Sequence, residues 1–275
     1  MKRSILIVAL TGMAAACDGF GGTEPEAGGA TATATAQAKA QAEEAKSKSQ
    51  GNGARSVAEE TDDFLFEYSY PAEAGRIAGL AGLLDNRLDR QRAALAAESE
   101  QARREARQEG FPYNKHSYTA EWKVVAELPK WLSLSADVAT YTGGAHGNYT
   151  VQSVVWDKDN LRLMNAIDLF SSPAALEEAF GDRFCDGLDR ERAERRGEPV
   201  PEDSEEQFDQ CPGIDELEVL VGSSNGRTFN RLTVYAGPYV AGPYAEGAYE
   251  VDLPVTQEVL DAVKPEYREA FSARN

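Results

Sequence analysis

The sequence predicts an α+β fold: an antiparallel sheet packed against one long helix, then a second α+β half carrying further strands and short helices. Three observations carry this. Apolar and polar residues alternate over Phe64–Tyr70 and again over Leu132–Thr140, the period of half-buried strands. Between them Ile77, Leu80, Leu84 and Leu88 recur at helical spacing, with Leu95 one step further on. A second amphipathic stretch opens at Pro173 and is followed by short alternating segments and Gly-Pro turns.

The chain begins with Lys2-Arg3, an apolar run Ile5–Leu10 and then Ala14-Ala15-Ala16-Cys17. A basic start, a short apolar core and small residues before a cut are the parts of a signal peptide, residues 1–16. The run is far shorter than the ~20 residues a membrane-spanning helix needs. Cysteine directly after small residues resembles a bacterial lipoprotein box, which implies an acylated Cys17 and anchoring through its lipid. An ordinary signal peptide leaving a free thiol is the plainer alternative. Asp18 resembles an inner-membrane retention signal. Residues 17–60 are rich in Gly, Ala, Thr, Gln, Glu and Lys and poor in large apolar side chains. Such a segment cannot bury enough surface to offset ordering entropy, so it is expected to be a disordered tether. Ala36–Ala45 has helix propensity within it.

The first folded part is expected over residues 61–165. Phe64, Phe66, Tyr68 and Tyr70 form its opening strand, ended by Pro71. The leucine-striped helix continues through Ala94–Arg107, where its apolar residues are only alanines, and this distal part is expected to be a solvated, salt-bridged extension. Gly110 and Pro112 stop it. Strands follow at Tyr118–Val125, Trp131–Thr142, Tyr149–Trp156 and Leu161–Met164, with a strong turn signal at Asp157-Lys158-Asp159-Asn160. The expectation is a meander of antiparallel strands on one long helix.

The second part is expected over residues 166–275. Ser172-Pro173 reads as an N-cap with proline at the first helical position. Leu176, Phe180, Phe184 and Leu188 mark the buried face of its helix. Glu191 to Glu206 is charged, contains Pro199 and Pro201, and reads as an exposed excursion. Its run Glu202-Asp203-Ser204-Glu205-Glu206 is most simply a solvated loop; calcium binding is the sharper alternative, without EF-hand spacing. Leu217, Val219 and Val221 alternate as a strand, Ser223–Gly226 turns, and Phe229–Tyr235 returns as its partner. Two Gly-Pro-Tyr units, Gly237-Pro238-Tyr239 and Gly242-Pro243-Tyr244, form a rigid aromatic loop before a strand at Tyr249–Leu253. Short helices close the chain at Val255–Val263 and Pro265–Phe271.

The stretch with most chemistry is Tyr141-Thr142-Gly143-Gly144-Ala145-His146-Gly147-Asn148-Tyr149-Thr150. It sets one of only two histidines among three glycines and two tyrosines, between two strands. It reads either as a hairpin loop with His146 hydrogen-bonded locally or as a glycine-lined platform presenting His146 between Tyr141 and Tyr149. The run Tyr141–Gly147, followed by Asp168-Leu169-Phe170, resembles the signature of bacterial extracytoplasmic domains. These join a PdaC-type N-terminal domain to a C-terminal domain like that of the lysozyme-sensing anti-sigma factor RsiV. The resemblance covers roughly Asp63 to Phe271, with residues 61–165 PdaC-like and 166–275 RsiV-like, and the Gly-Pro-Tyr loop resembles the loop before the last RsiV-type strand. It implies a non-catalytic, membrane-anchored envelope lipoprotein on the periplasmic side. Its binding surface would include Tyr141, Gly143, Gly144, His146, Tyr149, Tyr239 and Tyr244, and its partner would be a cationic protein such as lysozyme or peptidoglycan. For the tyrosines, packing at sheet edges is the bland alternative to an interface role. The chain shows no transmembrane helix and no cytoplasmic anti-sigma segment, so signalling to a sigma factor is not carried over.

Charge and cysteines bound the rest. The chain has 46 acidic and 28 basic side chains, a formal charge of −18, and loss of residues 1–16 removes Lys2 and Arg3 to leave −20. Phosphate contacts need a basic face, so no nucleic-acid partner is expected. The excess favours a cationic partner, or serves solubility alone. With Cys17 lipidated, Cys185 and Cys211 remain as an even pair in an oxidising compartment and are expected to form a disulfide; a metal pair is the alternative. No cofactor and no metal site are expected, since only His116 and His146 exist and no zinc-binding or Gly-x-Ser-x-Gly motif occurs. Two other functions stay open: a metal-assisted cell-wall hydrolase or deacetylase accessory using His146, and a purely structural peptidoglycan-associated lipoprotein.

Overall fold

The computed structural model describes residues 53–201 and 203–274. The expected leader, Cys17, Asp18 and most of the tether lie outside the described residues. Six strands form the first sheet in chain order: β1 (Arg55–Glu60), β2 (Phe64–Tyr70), β3 (His116–Glu127), β4 (Trp131–Tyr141), β5 (Asn148–Asp157) and β6 (Arg162–Met164). Neighbours run antiparallel, except that β2 and β3 are parallel. The antiparallel meander expected from sequence runs from β3 to β6, and the pairing of β2 with β3 departs from it. The cause is the connection: a single turn, α1 (Ala72–Gly75), and a long helix, α2 (Ala78–Glu109), lie between β2 and β3. A helical crossover returns the chain in the direction it left, which a tight hairpin cannot do.

The helix α2 covers one face of this sheet. Leu80, Leu84, Leu88 and Leu95 are buried in one cluster with Phe66, Tyr68, Trp122, Leu132, Leu134 and Trp156. Full burial of each leucine contributes roughly 1.5–3 kcal/mol before entropy is counted. Trp122 Nε1 donates to Tyr68 Oη at 2.8 Å, so the indole is buried without an orphaned donor. The distal helix is less solvated than expected, because Ser99 and Ala106 continue the buried stripe. Ion pairs hold its flanks, Arg92 to Glu59, Arg103 to Asp63 and Arg104 to Glu100. Gly110 ends the helix at φ 77°, with its N–H on Ala106 O.

The strand β1 corrects the other expectation for this half, in which residues up to 60 belong to the tether. Val57 is buried, and Arg55–Glu60 pairs residue by residue with Tyr70–Leu65. Composition hides this edge strand because it has a single large apolar residue. Its charged residues engage partners far along the chain: Arg55 with Asp85 at 2.7 Å and Lys115 with Glu60 at 2.8 Å.

A second core lies on the second half and takes in Trp131 and Val155 from the first sheet. It contains α3 (Pro173–Arg196), the antiparallel sheet β7 (Leu217–Gly222), β8 (Arg231–Ala236) and β9 (Tyr249–Pro254), and α4 (Gln257–Ala262). Ser172 Oγ accepts from Ala175 N at 3.0 Å, the expected N-cap. Leu176, Phe180, Phe184 and Leu188 are buried as the spacing predicts. Where α3 meets β9, a Cβ on Gly187 would fall 2.4 Å from Val251 Cγ1, so the approach requires glycine. Cys185 and Cys211 form the disulfide, with Cα atoms 5.5 Å apart. The excursion expected from Glu191 begins later, at Gly197, because Glu191–Arg196 are the last turns of α3 and Arg192 is fully buried. No helix among the described residues is long and apolar enough to cross a membrane.

Candidate functional site

Two loops from distant parts of the chain meet at one aromatic cluster. The first joins β4 to β5. Gly143 and Gly144 take φ of 87° and 132°, which L side chains rarely adopt, and Tyr141 Oη donates to Gly144 O at 3.0 Å. This closes the turn and projects His146 into solvent. The second loop joins β8 to β9. It is folded by two tight bonds, Tyr239 N to Gly242 O and Val240 N to Gly237 O, both 3.1 Å.

His146 is the point of contact. Its ring stacks on Tyr244 with centroids 3.9 Å apart and planes 25° from parallel. Tyr239 lies beyond, 5.6 Å from Tyr244 and 6.3 Å from His146, and Tyr149 meets Tyr244 edge-on at 6.1 Å. His146 Nδ1 is 2.8 Å from Gly147 O, and Tyr239 Oη is 3.2 Å from Nε2. A carbonyl can only accept, so Nδ1 carries the proton; in the neutral ring Nε2 then accepts from the Tyr239 hydroxyl. Tyr244 Oη donates to the same Gly147 O at 2.9 Å, which uses its second lone pair. Thus Tyr141, Gly143, Gly144, His146, Tyr149, Tyr239 and Tyr244 are brought together. His116 lies beneath the same loop but outside the aromatic stack: it is buried at the start of β3, with its ring against Tyr113 and Nε2 beside Gly143.

Tyr239 is held at φ 69°, and half of its surface is exposed. A bulky residue in the left-handed region is a strained placement, and it keeps an apolar ring turned to water. The strain is held by the end of α3, which sequence reasoning missed. Arg192 donates to Ala241 O at 3.0 Å and to Asp209 O and Gln210 O at 3.1 and 2.8 Å. Arg195 donates to Glu246 O and Ala248 O at 2.8 and 2.6 Å, and its guanidinium lies 3.9 Å from the centre of the Tyr249 ring. Arg196 pairs with the Glu246 carboxylate at 3.1 Å. Burial alone would raise the Glu246 pKa, but bonds from Arg196 and Tyr249 outweigh it and hold the carboxyl below its ordinary range. Nearby, burial pushes the Tyr235 phenol up to about 12. The signal that could have found these arginines is their spacing, Arg192-Arg195-Arg196, on one side of a helix end.

Among the described residues no group of three His, Cys, Asp or Glu is arranged to hold a metal ion. A cavity of about 740 Å³ lies elsewhere, lined by Lys130, Trp131, Arg162, Arg227, Glu266 and Tyr267, with charges of both signs.

The architecture is a mixed α+β fold of two sheets with one long helix. Residues 57–149 match the family model described as Deacetylase PdaC. The whole fold is similar to that of a DUF3298 family protein from Pseudomonas aeruginosa PAO1, with a TM-score of 0.51 and 16% identity over 80% of this chain and 97% of that one. A DUF3298 family member from Bacteroides fragilis NCTC 9343 aligns with a TM-score of 0.43 and 14% identity, covering 76% of this chain and 91% of that one. No curated protein matches the chain.

Proposed function

We propose that this chain is a non-catalytic binding module of the bacterial cell envelope, anchored through an acylated Cys17, with an RsiV-like C-terminal half. The observation that carries the reading is Tyr239: an exposed ring held at positive φ, hydrogen-bonded to an exposed histidine that stacks on a second tyrosine. Rigid aromatic side chains that stay exposed lose little entropy on binding and suit an interface hot spot or a sugar ring. The partner is a cationic protein of the lysozyme-type muramidase class or peptidoglycan itself, in keeping with the charge of −18. The full chain should bind one of the two saturably, and Tyr239→Ala or His146→Ala should weaken that binding. Muramidase binding should fade as salt rises, and glycan binding should persist. Failure to bind either would leave the platform as architecture only.

The family-model match over residues 57–149 favours one second reading, an accessory to a cell-wall deacetylase that works through His146. Deacetylation of peptidoglycan by the full chain, dependent on added metal and abolished by His146→Ala, would establish it.

A further inference from the structure

We propose that the outer edge of β5, from Asn148 to Gln152, takes an extended, lysine- or arginine-bearing segment of a partner protein as an added strand. This deepens the binding-module reading and rests on it.

The register decides which backbone groups face out. Ser153 N–H points away from β4, because it donates to Glu218 at 2.6 Å. Lys158 N donates to Lys130 O at 2.9 Å, so the even-numbered residues of β5 bond toward β4. The N–H and C=O groups of Tyr149, Val151 and Ser153 therefore face the far side. There β6 covers only Val155 to Asp157. Glu218 caps Ser153, and above that point no strand of the described residues pairs with the edge. Tyr149 N–H is held by the neighbouring Asn148 Oδ1 at 3.0 Å, and Val151 O accepts Thr150 Oγ1 at 3.4 Å. Both are local bonds that an incoming backbone can replace. Five residues give a strand about 17 Å long, enough for a short augmentation.

The edge is open and acidic. A cavity of about 270 Å³ separates Asn148–Val151 from Asp215, Glu216 and Glu218. A second, of about 440 Å³, lies over the face of the same sheet, from Glu67 on β2 to Tyr149, Thr150 and Val151 on β5, and is also lined by Glu250. Glu121 and Asp137 also line it but are paired with Lys123, at 3.1 and 2.6 Å. Neither cavity is lined by a lysine or arginine. A second copy of this chain would bring the same carboxylates to the edge, whereas a basic segment meets complementary charge. Natural edges are usually blocked, and here Glu218 blocks only the lower end.

The test is fluorescence anisotropy of the full chain with a labelled peptide of alternating lysine and valine. Three comparisons accompany it: the same peptide N-methylated at alternate amides, a glutamate–valine counterpart, and the variants Val151→Pro and Glu216→Lys. Val151→Pro removes a donor on the open side without touching the β4 ladder, as proline on an edge allows. Expected are saturable binding of the lysine peptide, about tenfold weaker binding on N-methylation or in Val151→Pro, a salt-sensitive loss in Glu216→Lys, and no binding of the glutamate peptide. Because N-methylation alters only the probe, its result stands even if a variant misfolds. Equal binding of the methylated peptide, unchanged binding by a folded Val151→Pro, or no binding of the lysine peptide overturns the proposal. So does self-association of the chain that Val151→Pro abolishes. If the lysine peptide fails while peptidoglycan or muramidase still binds through Tyr239, the edge proposal falls and the binding-module reading survives.

Discussion

Replacing Arg192 by methionine tests what holds the platform in place. The guanidinium is fully buried and donates to three carbonyls, Ala241 O, Asp209 O and Gln210 O, at 2.8–3.1 Å. It also pairs with Asp189 at 2.9 Å, but that carboxylate is half exposed and contributes about 0–1 kcal/mol. Methionine preserves much of the apolar stem, so the packing loss is small. The main cost is three carbonyls left without a donor, at about 1–3 kcal/mol each. Gln210 is exposed, so water can reach that end, and the total falls in the lower part of the range. The expected loss is about 3–5 kcal/mol, as for breaking other buried charged networks. For a fold of this size that lowers Tm by on the order of 10 °C. Urea and thermal unfolding with the disulfide intact, followed by near-ultraviolet circular dichroism, measure it. Arg192→Lys should recover less than half, because one ammonium cannot reach acceptors spread around a planar fork. A loss under about 1 kcal/mol in the methionine variant would refute the reasoning, since it would mean the three carbonyls find other partners.

Other outcomes follow from the same geometry. Replacing both Cys185 and Cys211 by alanine should cost about 3.5 kcal/mol, the chain-entropy value for a closed loop of 26 residues, read as a fall in unfolding midpoint. Tyr239→Gly should raise stability by up to about 1 kcal/mol by relieving its positive φ, while weakening partner binding in the same assay used for Tyr239→Ala. Gly187→Ala should destabilise by about 1–3 kcal/mol, because its methyl would overlap Val251 where α3 packs on β9. Calorimetry across the acid range should separate two opposed pH contributions. Glu246 is pulled below 4.5 by Arg196 and Tyr249 against its burial, so its stabilisation is complete above 4.5 and lost as the pH falls through its folded value; Glu246→Gln should flatten that limb. Burial raises Glu218, so the fold gains as pH falls through its raised value and loses that gain as pH rises; Glu218→Gln should remove the dependence and keep an acceptor for Ser153 N–H.

Where burial follows a local period, the sequence was enough. The leucines of α2 and Leu176, Phe180, Phe184 and Leu188 of α3 lie where their spacing puts them, and the glycine-histidine and Gly-Pro-Tyr loops are turns. Non-local pairing was not legible. The strand β1 rests on ion pairs to residues as distant as Asp85 and Lys115, so composition alone reads it as linker. The parallel pairing of β2 and β3 was implied by the intervening helix but obscured by the antiparallel strands that follow. Arg192 sat in a charged run that reads as solvated. Its burial depends on carbonyls from Asp209, Gln210 and Ala241, 17 to 49 residues later. The site residues were legible as two separate motifs; that they share one hydrogen-bonded carbonyl, Gly147 O, was not.

That shared carbonyl bears on what unit can carry function. The match to the PdaC family model ends at Tyr149, so it includes Tyr141, His146 and Tyr149 but neither Tyr239 nor Tyr244. Without the later loop, His146 would have no stacking partner and Gly147 O would lose a donor. Without the earlier loop, Tyr239 would keep its strained backbone and lose its histidine. The Gly-Pro-Tyr loop is fastened within its own half by the arginines of α3, and its tyrosines reach across to the β4–β5 turn of the other half. The aromatic cluster thus exists only where both halves are folded together. Loosening α3 at Arg192 should reach His146 through Ala241 and Tyr239, and partner binding and stability should fall together in that variant.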